Sequence, residues 1–353
     1  MRARLRRLSA LVMLAAAIAT SGTAEAKDDF KIAWSIYVGW MPWGWAADQG
    51  IVKKWADKYG ITIEVVQIND YVESINQFTA GGFDGCVMTN MDALTIPAVG
   101  GVDSTALIVG DFSNGNDGIV SKTAKSVEEL KGESVNLVEL SVSHYLLARA
   151  LEKAGLAERD LGGVVNTSDA DIVSVFTSTD DVKHVVTWNP LLAEVEKVPG
   201  ATKLFDSAQI PGEIIDLMVV NSEALAENPN FGKALAGAWY ETMAIMRGDD
   251  DAGKAARTAM AAASGTDLAG FDAQLAATKM FFAPADAVAF ATSPDLVTTM
   301  ESVRQFSAAH GLLQGGADSV GIAFPGDKTL GDTGNIKLRF TADYMKMAAD
   351  GAL

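Results

Sequence analysis

The stretch WSIYVGWMPWGW, from Trp34 to Trp45, decides the fold of this chain. It continues an apolar run that predicts a strand over 31–38, and the sequence after it predicts a helix over 42–58. A loop that joins a strand to a helix lies at the carboxyl edge of a sheet. In open α/β folds ligands bind at that edge, so we expect a binding site here.

Four of the seven tryptophans fall in this stretch. Because indole rings are amphipathic and unfavourable to leave in water, such a cluster on a loop predicts a wall on which a ligand stacks. Trp40 and Trp43 flank Pro42 and are the candidates for that wall. Trp34 and Trp45 are explained equally well as core residues.

Strands and helices alternate after the aromatic stretch. Predicted strands at 61–68, 83–88 and 105–109 are separated by helical segments, which is typical of a mostly parallel sheet covered on both faces. The polar segment GDFSNGNDG at 110–118 then interrupts the alternation and is predicted to be a loop or hinge between two lobes. A second α/β set follows it, and from Ser222 the chain is predicted to be largely helical.

The fold class predicted from this order is α/β with two lobes, a hinge and a helical C-terminal region. Lobe 1 is expected to comprise 27–112 and 217–353, and lobe 2 to comprise 113–216. The chain of 353 residues is long enough for two such units, each with its own core.

The first 26 residues have the composition of a secretory signal peptide. Four arginines precede an apolar run, and Ala24-Glu25-Ala26 has the small-x-small pattern of a cleavage site. We therefore expect export to the periplasm. We expect no lipidation, because no cysteine lies directly after the apolar run. The single cysteine, Cys86, lies in an apolar stretch and is expected to be a buried small residue.

The formal net charge of the chain is −17, and removal of the four arginines and Glu25 would make it more negative. This charge argues against nucleic acid and anionic membranes as partners.

Polar residues at predicted strand ends and helix starts could face a common cleft. With the two tryptophans named above, the candidate ligand-binding residues are Asn90, Asp92, Asp111, Asp117, Ser141, His144, Trp188, Asn189, Glu213 and Asp216. Several have simpler explanations: Asp92 complements a helix dipole, and Ser141 caps a helix. His144 is explained as a surface histidine or one with its hydrogen bonds satisfied, and Glu213 as a solvated side chain. Asp216 is harder to dismiss, because a lone acid among apolar neighbours needs a partner.

Signatures of enzymes and metal sites are sparse. The sequence has no GxSxG, P-loop or HExxH motif. Its three histidines, His144, His184 and His310, are far apart in sequence, so no metal cluster and no cofactor are predicted.

The order of features resembles the periplasmic solute-binding proteins of ABC importers, in the nitrate/sulfonate/taurine-type family. Four strings are similar to the branch described as urea-transporter-like and associated with urea carboxylase: WADKYGI at 55–61, FDGCVMTNMDAL at 83–94, GDFSNGNDGIVS at 110–121 and SVSHYLLARAL at 141–151. The resemblance implies a type II two-lobed fold, a monomer, an ABC permease as partner, and urea or guanidine as ligand. It implies no individual site residue.

The sequence departs from that family in its charge. The usual ligands of the family are anions, but the candidate segments 88–92, 110–118, 139–144 and 213–218 carry carboxylates and no Lys or Arg. Such a cleft suits guanidinium, with carboxylates accepting its edge hydrogen bonds, Trp40, Trp43 or Trp188 covering its plane, and Asn90 and Ser141 completing the set. Lobe closure would follow. Urea, which is neutral, would need a donor such as Asn90 or Asn189.

Three alternatives stay open: an anion-binding protein, a binding protein for a pyrimidine-like heterocycle, and an enzyme similar to the thiamine-pyrimidine synthases.

Overall fold

The structure is a computed structural model that describes residues 27–353. The predicted signal peptide, 1–26, lies outside the described residues. The strands form two separate mixed sheets, one of nine strands and one of five.

The large sheet is built from the beginning and the end of the described chain. Its strands are β1 Asp29–Trp34, β2 Thr62–Gln67, β3 Gly85–Thr89, β4 Ser104–Ser113, β10 Ile215–Asn221, β11 Thr278–Met280, β12 Gly321–Phe324, β13 Lys328–Leu330 and β14 Ile336–Phe340. The small sheet uses the strands between them. They are β5 Asp117–Ser121, β6 Ser134–Leu137, β7 Gly163–Asn166, β8 His184–Trp188 and β9 Thr202–Asp206.

Fourteen α-helices in the described residues cover these sheets. They are α1 Met41–Asp48, α2 Ile51–Lys58, α3 Tyr71–Thr79, α4 Asn90–Ala93, α5 Val142–Lys153, α6 Asp169–Ser178, α7 Leu191–Glu196, α8 Ser222–Glu227, α9 Asn230–Met246, α10 Asp251–Ala263, α11 Leu268–Ala276, α12 Pro284–Ala291, α13 Pro294–Ala309 and α14 Asp343–Ala349. None of them is long and apolar enough to cross a lipid bilayer.

The strand order of the large sheet is β13-β12-β14-β4-β10-β3-β1-β2, with β11 also paired to β4. The strands β1, β2 and β3 run parallel, and β10 inserts antiparallel between β3 and β4. In this register Asp216 of β10 lies opposite Thr89 on one side and Asp111 on the other. The insertion of β10 therefore brings a late residue beside two early ones.

The small sheet has the order β7-β6-β8-β5-β9. Its strand β5 is antiparallel to β8 and pairs Asp117 with Trp188. The chain crosses from the large sheet to the small one after Ser113 and returns before Ile215. This division of the strands supports the predicted lobes, 27–112 with 217–353 and 113–216, which stay a prediction.

The prediction of a loop over the whole of 110–118 is wrong, although the chain does cross between the two sheets within this segment. Strand β4 continues through Ser113 and β5 begins at Asp117, so only 114–116 lies outside the strands. Within β4, Phe112 lies opposite both Ile215 of β10 and Lys279 of β11. Pairing on both sides satisfies the backbone and overrides the low strand propensity of Gly, Asp and Ser.

Two other element boundaries differ from the predictions. The strand expected over 31–38 ends at Trp34, and the helix expected over 42–58 is two helices, α1 and α2. Gly50, between the two helices, has φ +72°, a conformation that glycine adopts without strain and that ends a helix.

The region after Ser222 contains the predicted helices, and it also contributes the strands β11 to β14, which the sequence analysis missed. Cys86 is fully buried, as predicted.

Candidate functional site

A small cavity lies where strand ends of the two sheets meet. Its lining comes from both sheets and from the loops that follow their strands: Tyr37, Trp40, Tyr71, Thr89, Asp117, Val142, Trp188, Ile214 and Asp216. About 20 Å³ is open to the centre of a water-sized molecule. The space is therefore suited to a ligand of a few non-hydrogen atoms.

Four of the nine residues that line this cavity are aromatic. Trp40 stacks on Tyr71 with 5.3 Å between ring centroids, and Tyr37 meets the edge of Trp40 at 5.0 Å. Trp188, from the small sheet, meets Tyr71 edge-on at 6.0 Å. These rings are between 4% and 8% exposed, so they are held by packing and not by the ligand.

Hydrogen bonds fix Tyr71 in this wall. Asp70 caps α3 by accepting from the Glu73 N–H, which places Tyr71 at the first helical position. The Tyr71 hydroxyl donates to Asp92 Oδ2 at 2.6 Å and accepts from the Thr89 N–H at 3.0 Å. The Thr89 hydroxyl also donates to Asp92 Oδ2, at 2.8 Å. One oxygen of Asp92 is thus committed to orienting the wall.

Three buried carboxyl groups converge beside the aromatic wall. Asp216 and Asp117 line the cavity, and Asp111 lies next to Asp216 on the neighbouring strand. All three are at most 3% exposed. Within the described part of the chain, both carboxyl oxygens of Asp111 and Oδ2 of Asp216 have no hydrogen-bond partner. The same holds for the Tyr37 hydroxyl and the Trp40 indole N–H.

Burial changes the ionisation of these groups. It raises the pKa of Asp111 and of Asp117 to about 7. It raises the pKa of Asp216 well above its usual value, and the adjacent charge of Asp111 raises it further. Burial also raises the pKa of Asp92 to about 6, against the hydrogen bonds from Tyr71 and Thr89 that lower it. A cation in the cavity would reverse the effect of burial by stabilising the charged forms.

Gly39 allows the backbone of the aromatic loop to approach Asp111. A Cβ at this position would overlap Asp111 Oδ2 and lie 2.8 Å from Cε1 of Tyr37. Glycine is therefore required where the loop passes over the carboxyl group.

The structure brings together five of the predicted site residues. Trp40, Asp117, Trp188 and Asp216 line the cavity, and Asp111 lies against Asp216. Trp43 lies outside that lining and stacks on Trp239 of α9, at 5.1 Å, on the other side of Asp216.

The remaining predicted residues have polar atoms paired elsewhere. Ser141 caps α5 by accepting from the Ser143 N–H. Asn90 accepts from the Ile215 N–H at 3.0 Å and donates to the Glu213 carbonyl at 3.2 Å. Asn189 donates to the Asn116 side chain at 2.8 Å.

The charge of Glu213 is balanced by an arginine of the same chain. Arg149 of α5 donates to its two carboxyl oxygens at 2.8 and 3.0 Å, and the Tyr145 hydroxyl donates at 2.6 Å. This side chain therefore belongs to an ion pair that connects α5 to the chain just before β10.

His144 and His310 lie together, so the expectation that the three histidines are scattered is wrong for this pair. Their ring centroids are 5.0 Å apart, and Glu158 lies between them, 3.2 Å from His144 Nε2 and 2.7 Å from His310 Nε2. The imidazoles hold the pKa of Glu158 below its usual value, although its burial raises it.

Among the described residues these three are a grouping whose ligand atoms are close enough to hold a metal ion. However, His144 Nδ1 accepts from the Leu140 N–H at 3.1 Å, which leaves the ring proton on Nε2. Metal binding there would require His144 to lose that proton.

Sequence reasoning missed five lining residues: Tyr37, Tyr71, Thr89, Val142 and Ile214. Tyr37 was within the quoted aromatic stretch but was assigned to a strand. Tyr71 directly follows a recognised helix cap, Asp70, and that position at the edge of the sheet was the available signal.

Comparisons with known proteins support the same architecture. No family model matches this chain. A protein of Brucella abortus (strain 2308), provisionally named a binding protein, is 29% identical over 147 residues, which are 40% of this chain. That match spans 44% of the relative's length.

Solved structures match over much more of the chain. The alkanesulfonate-binding protein SsuA from Xanthomonas axonopodis pv. citri, bound to MOPS, superposes with a TM-score of 0.66 at 16% identity, over 82% of this chain and 96% of that one. The periplasmic nitrate-binding protein NrtA from Synechocystis PCC 6803 gives 0.58 at 12% identity, over 93% and 99%. The desulfurization enzyme DSZB gives 0.55 at 15% identity, over 82% and 95%. This chain therefore has the α/β fold of the type II periplasmic binding proteins, a fold that an enzyme also uses.

Proposed function

We propose that this chain is the solute-binding component of an ABC importer and that its solute is guanidinium, with urea as the neutral alternative. The chemistry of the cavity supports this proposal most strongly. Two carboxyl groups and an aromatic wall line it, and none of its described lining residues is basic. Carboxylates accept the edge hydrogen bonds of guanidinium, and indole and phenol faces attract its charge.

The size of the cavity agrees with this solute. If compact, a space of 20 Å³ extends about 1.7 Å from its centre. The nitrogens of guanidinium lie about 1.3 Å from its carbon, the length of a C–N bond with partial double-bond character. An alkanesulfonate or a substituted pyrimidine needs more space than this.

The proposed mechanism uses both sheets. Asp216 is the second residue of β10 in the large sheet, and Asp117 begins β5 of the small sheet. A cation held between them attracts the two lobes toward each other, and Trp40 and Trp188 cover it from the two sides. The closed form then docks on a membrane permease, and the predicted signal peptide, 1–26, delivers the protein to the periplasm.

A small anion is the second candidate, because two proteins of the same fold are named for alkanesulfonate and nitrate. An anion would find the free Trp40 indole N–H and the Tyr37 hydroxyl as donors. It would also lie beside the carboxyl groups of Asp117 and Asp216, which repel an anion whenever they are ionised. The enzyme alternative has less support, since the described lining contains no Lys, His or Cys.

Thermal-shift and calorimetric titrations of the purified protein test this proposal. Guanidinium, urea and taurine are each titrated from micromolar to low millimolar concentration, well below denaturing conditions. A ligand that binds only the folded protein raises the melting temperature by mass action. We expect a saturable shift with guanidinium and none with taurine.

Two variants make the test specific. Asp216→Asn removes one buried charge of the proposed pair, and such a loss costs about 2–5 kcal/mol, or roughly 30-fold or more in affinity. Asp249→Asn is the matched control, because the Asp249 side chain is fully exposed. Equal affinity of the two variants for guanidinium would rule out the proposed role of Asp216, and a shift with taurine alone would favour the anion.

A further inference from the structure

We infer that solute capture in this cavity releases about one proton from the Asp111–Asp216 pair, so that binding is coupled to pH. The inference rests on the proposed function, because it takes the solute to be a cation. It concerns how the site is charged when it is empty.

The pair is held together without a counter-charge. Asp111 of β4 and Asp216 of β10 lie directly opposite each other on antiparallel strands. They are 0% and 3% exposed, and three of their four carboxyl oxygens have no hydrogen-bond partner among residues 27–353. Two ionised carboxylates in one water-poor site repel each other, and one of them retains a proton instead.

The surroundings of the pair strengthen this conclusion. The titratable groups that act on it are Asp117 at the start of β5 and the phenol of Tyr37, and Asp92 in α4 adds its charge beside Asp117. All of them are neutral or acidic. These neighbours therefore add negative charge when they ionise. None of the described residues that line the cavity is basic.

Unpartnered donors beside the pair indicate that a ligand completes it. The Trp40 indole N–H is buried and without a partner in the described chain, and the Tyr37 hydroxyl lies beside the two carboxyl groups without a well-formed hydrogen bond; both residues line the cavity. Gly39 closes the loop over Asp111 and keeps that carboxyl group in place. The arrangement therefore has the features of a ligand-binding site, with hydrogen-bond donors and a fixed loop beside the two acids.

The proton balance follows from this charge state. In the empty site the pair holds one proton between two carboxyl groups. When guanidinium enters, the carboxyl group becomes a carboxylate that accepts N–H bonds, and its proton passes to the solvent. The affinity for the cation therefore rises by up to tenfold per pH unit while the pair holds its proton, and it levels off when the empty pair is ionised.

A neutral solute would give a different result. The carbonyl oxygen of urea can accept a hydrogen bond from the protonated carboxyl group, and the other carboxylate can accept from its N–H groups. No proton would leave, and the affinity would fall as the pH rises. The direction of the pH dependence therefore distinguishes a cation from a neutral amide at the same residues.

Calorimetry in several buffers measures this coupling. Guanidinium is titrated at pH 7 into the purified protein in phosphate, ACES and Tris, which differ in their enthalpy of ionisation. The slope of the observed enthalpy against the buffer enthalpy gives the number of protons transferred. We expect about one proton released from the pair, with at most a further fraction from Asp117, and a tighter Kd at pH 8 than at pH 6 by tenfold or more.

Two variants locate the proton. Asp111→Asn removes the neighbouring charge that, together with burial, makes Asp216 retain a proton, and we expect the release to fall below that of the unmodified protein. Asp249→Asn should leave the release unchanged, because its side chain is fully exposed.

The outcomes separate the inference from the proposed function. Tight guanidinium binding with no proton transfer overturns the inference and leaves the function standing. Binding of urea, with proton uptake or a weaker Kd at high pH, overturns the choice of a cation. An absence of guanidinium binding at every pH overturns both.

Discussion

The replacement Asp111→Asn should stabilise the ligand-free protein relative to the unmodified chain, and this gain in stability should be larger at pH 8 than at pH 5. Burial raises the pKa of Asp111 to about 7, whereas an unfolded aspartate has its usual value of 3.8. The folded state therefore binds more protons than the unfolded state between these values. In that range the stability of the unmodified protein decreases as the pH rises.

The magnitude follows from the size of the shift. One pKa unit corresponds to 1.36 kcal/mol, so a shift from 3.8 to about 7 destabilises the fold by about 4 kcal/mol at pH 8 and about 2 kcal/mol at pH 5. Asparagine cannot ionise, so the variant loses this dependence. The difference in stability between the two proteins should grow by about 2–3 kcal/mol across that range, in part through Asp216, which shares the proton.

Differential scanning calorimetry is the suitable assay, because the common denaturants urea and guanidinium chloride are the proposed solutes and would stabilise the folded state at low concentration. In domains of 150–250 residues, 1 kcal/mol corresponds to about 2–4 °C in Tm. We therefore expect the Tm difference to widen by several degrees from pH 5 to pH 8. Asp249→Asn should show a small and constant difference. If the Tm difference between Asp111→Asn and the unmodified protein were also independent of pH, the claim that burial raises the pKa of Asp111 would be refuted.

Three further perturbations test the wall and its supports. Trp40→Ala should weaken guanidinium binding by about tenfold or more, since a desolvated cation–π contact contributes about 2 kcal/mol, whereas Trp40→Phe should retain most of the affinity in the same titration. Gly39→Ala should lower Tm, because its methyl group displaces Asp111 and overpacking costs about 1–3 kcal/mol; an unchanged Tm and Kd would mean that the loop moves freely. Glu213→Gln should lower Tm by weakening the contact with Arg149, while guanidinium affinity stays far closer to that of the unmodified protein than in Asp216→Asn; a comparable loss of affinity would place Glu213 in the site.

The sequence was sufficient for the fold class and for most elements before Ser222, because the relevant signals are local. Alternating strand and helix patterns, the Asp70 cap and the helix starts are all encoded within a few residues, and the structure has them close to the predicted positions. The same reasoning predicted polar and aromatic side chains at the carboxyl edge of the strands, where the candidate cavity lies. Asp216 was identified because a lone acid among apolar residues is conspicuous in any fold.

The errors have a common physical origin in contacts between distant parts of the chain. Phe112 and its neighbours form a strand only because β10 and β11 pair with them from both sides. Glu213 is occupied only because Arg149 reaches it from α5. His144 of α5 and His310, which follows α13, are in contact although they lie far apart in the sequence. Spacing in the sequence carries no signal for any of these pairings.

The sheet connectivity has a consequence for the order in which the protein folds. The five strands of the small sheet are consecutive, so that sheet can form from one continuous segment. In contrast, β4 needs β10 on one side and β14 on the other, and β14 ends only at Phe340. Pairings of such long sequence separation are slow, because the loop entropy is lost before the contacts are gained. The chain should therefore fold from the inside outward, with the small sheet first and the large sheet completed last. A chain cut before β14 would leave the centre of that sheet with an open edge, prone to pairing with other chains.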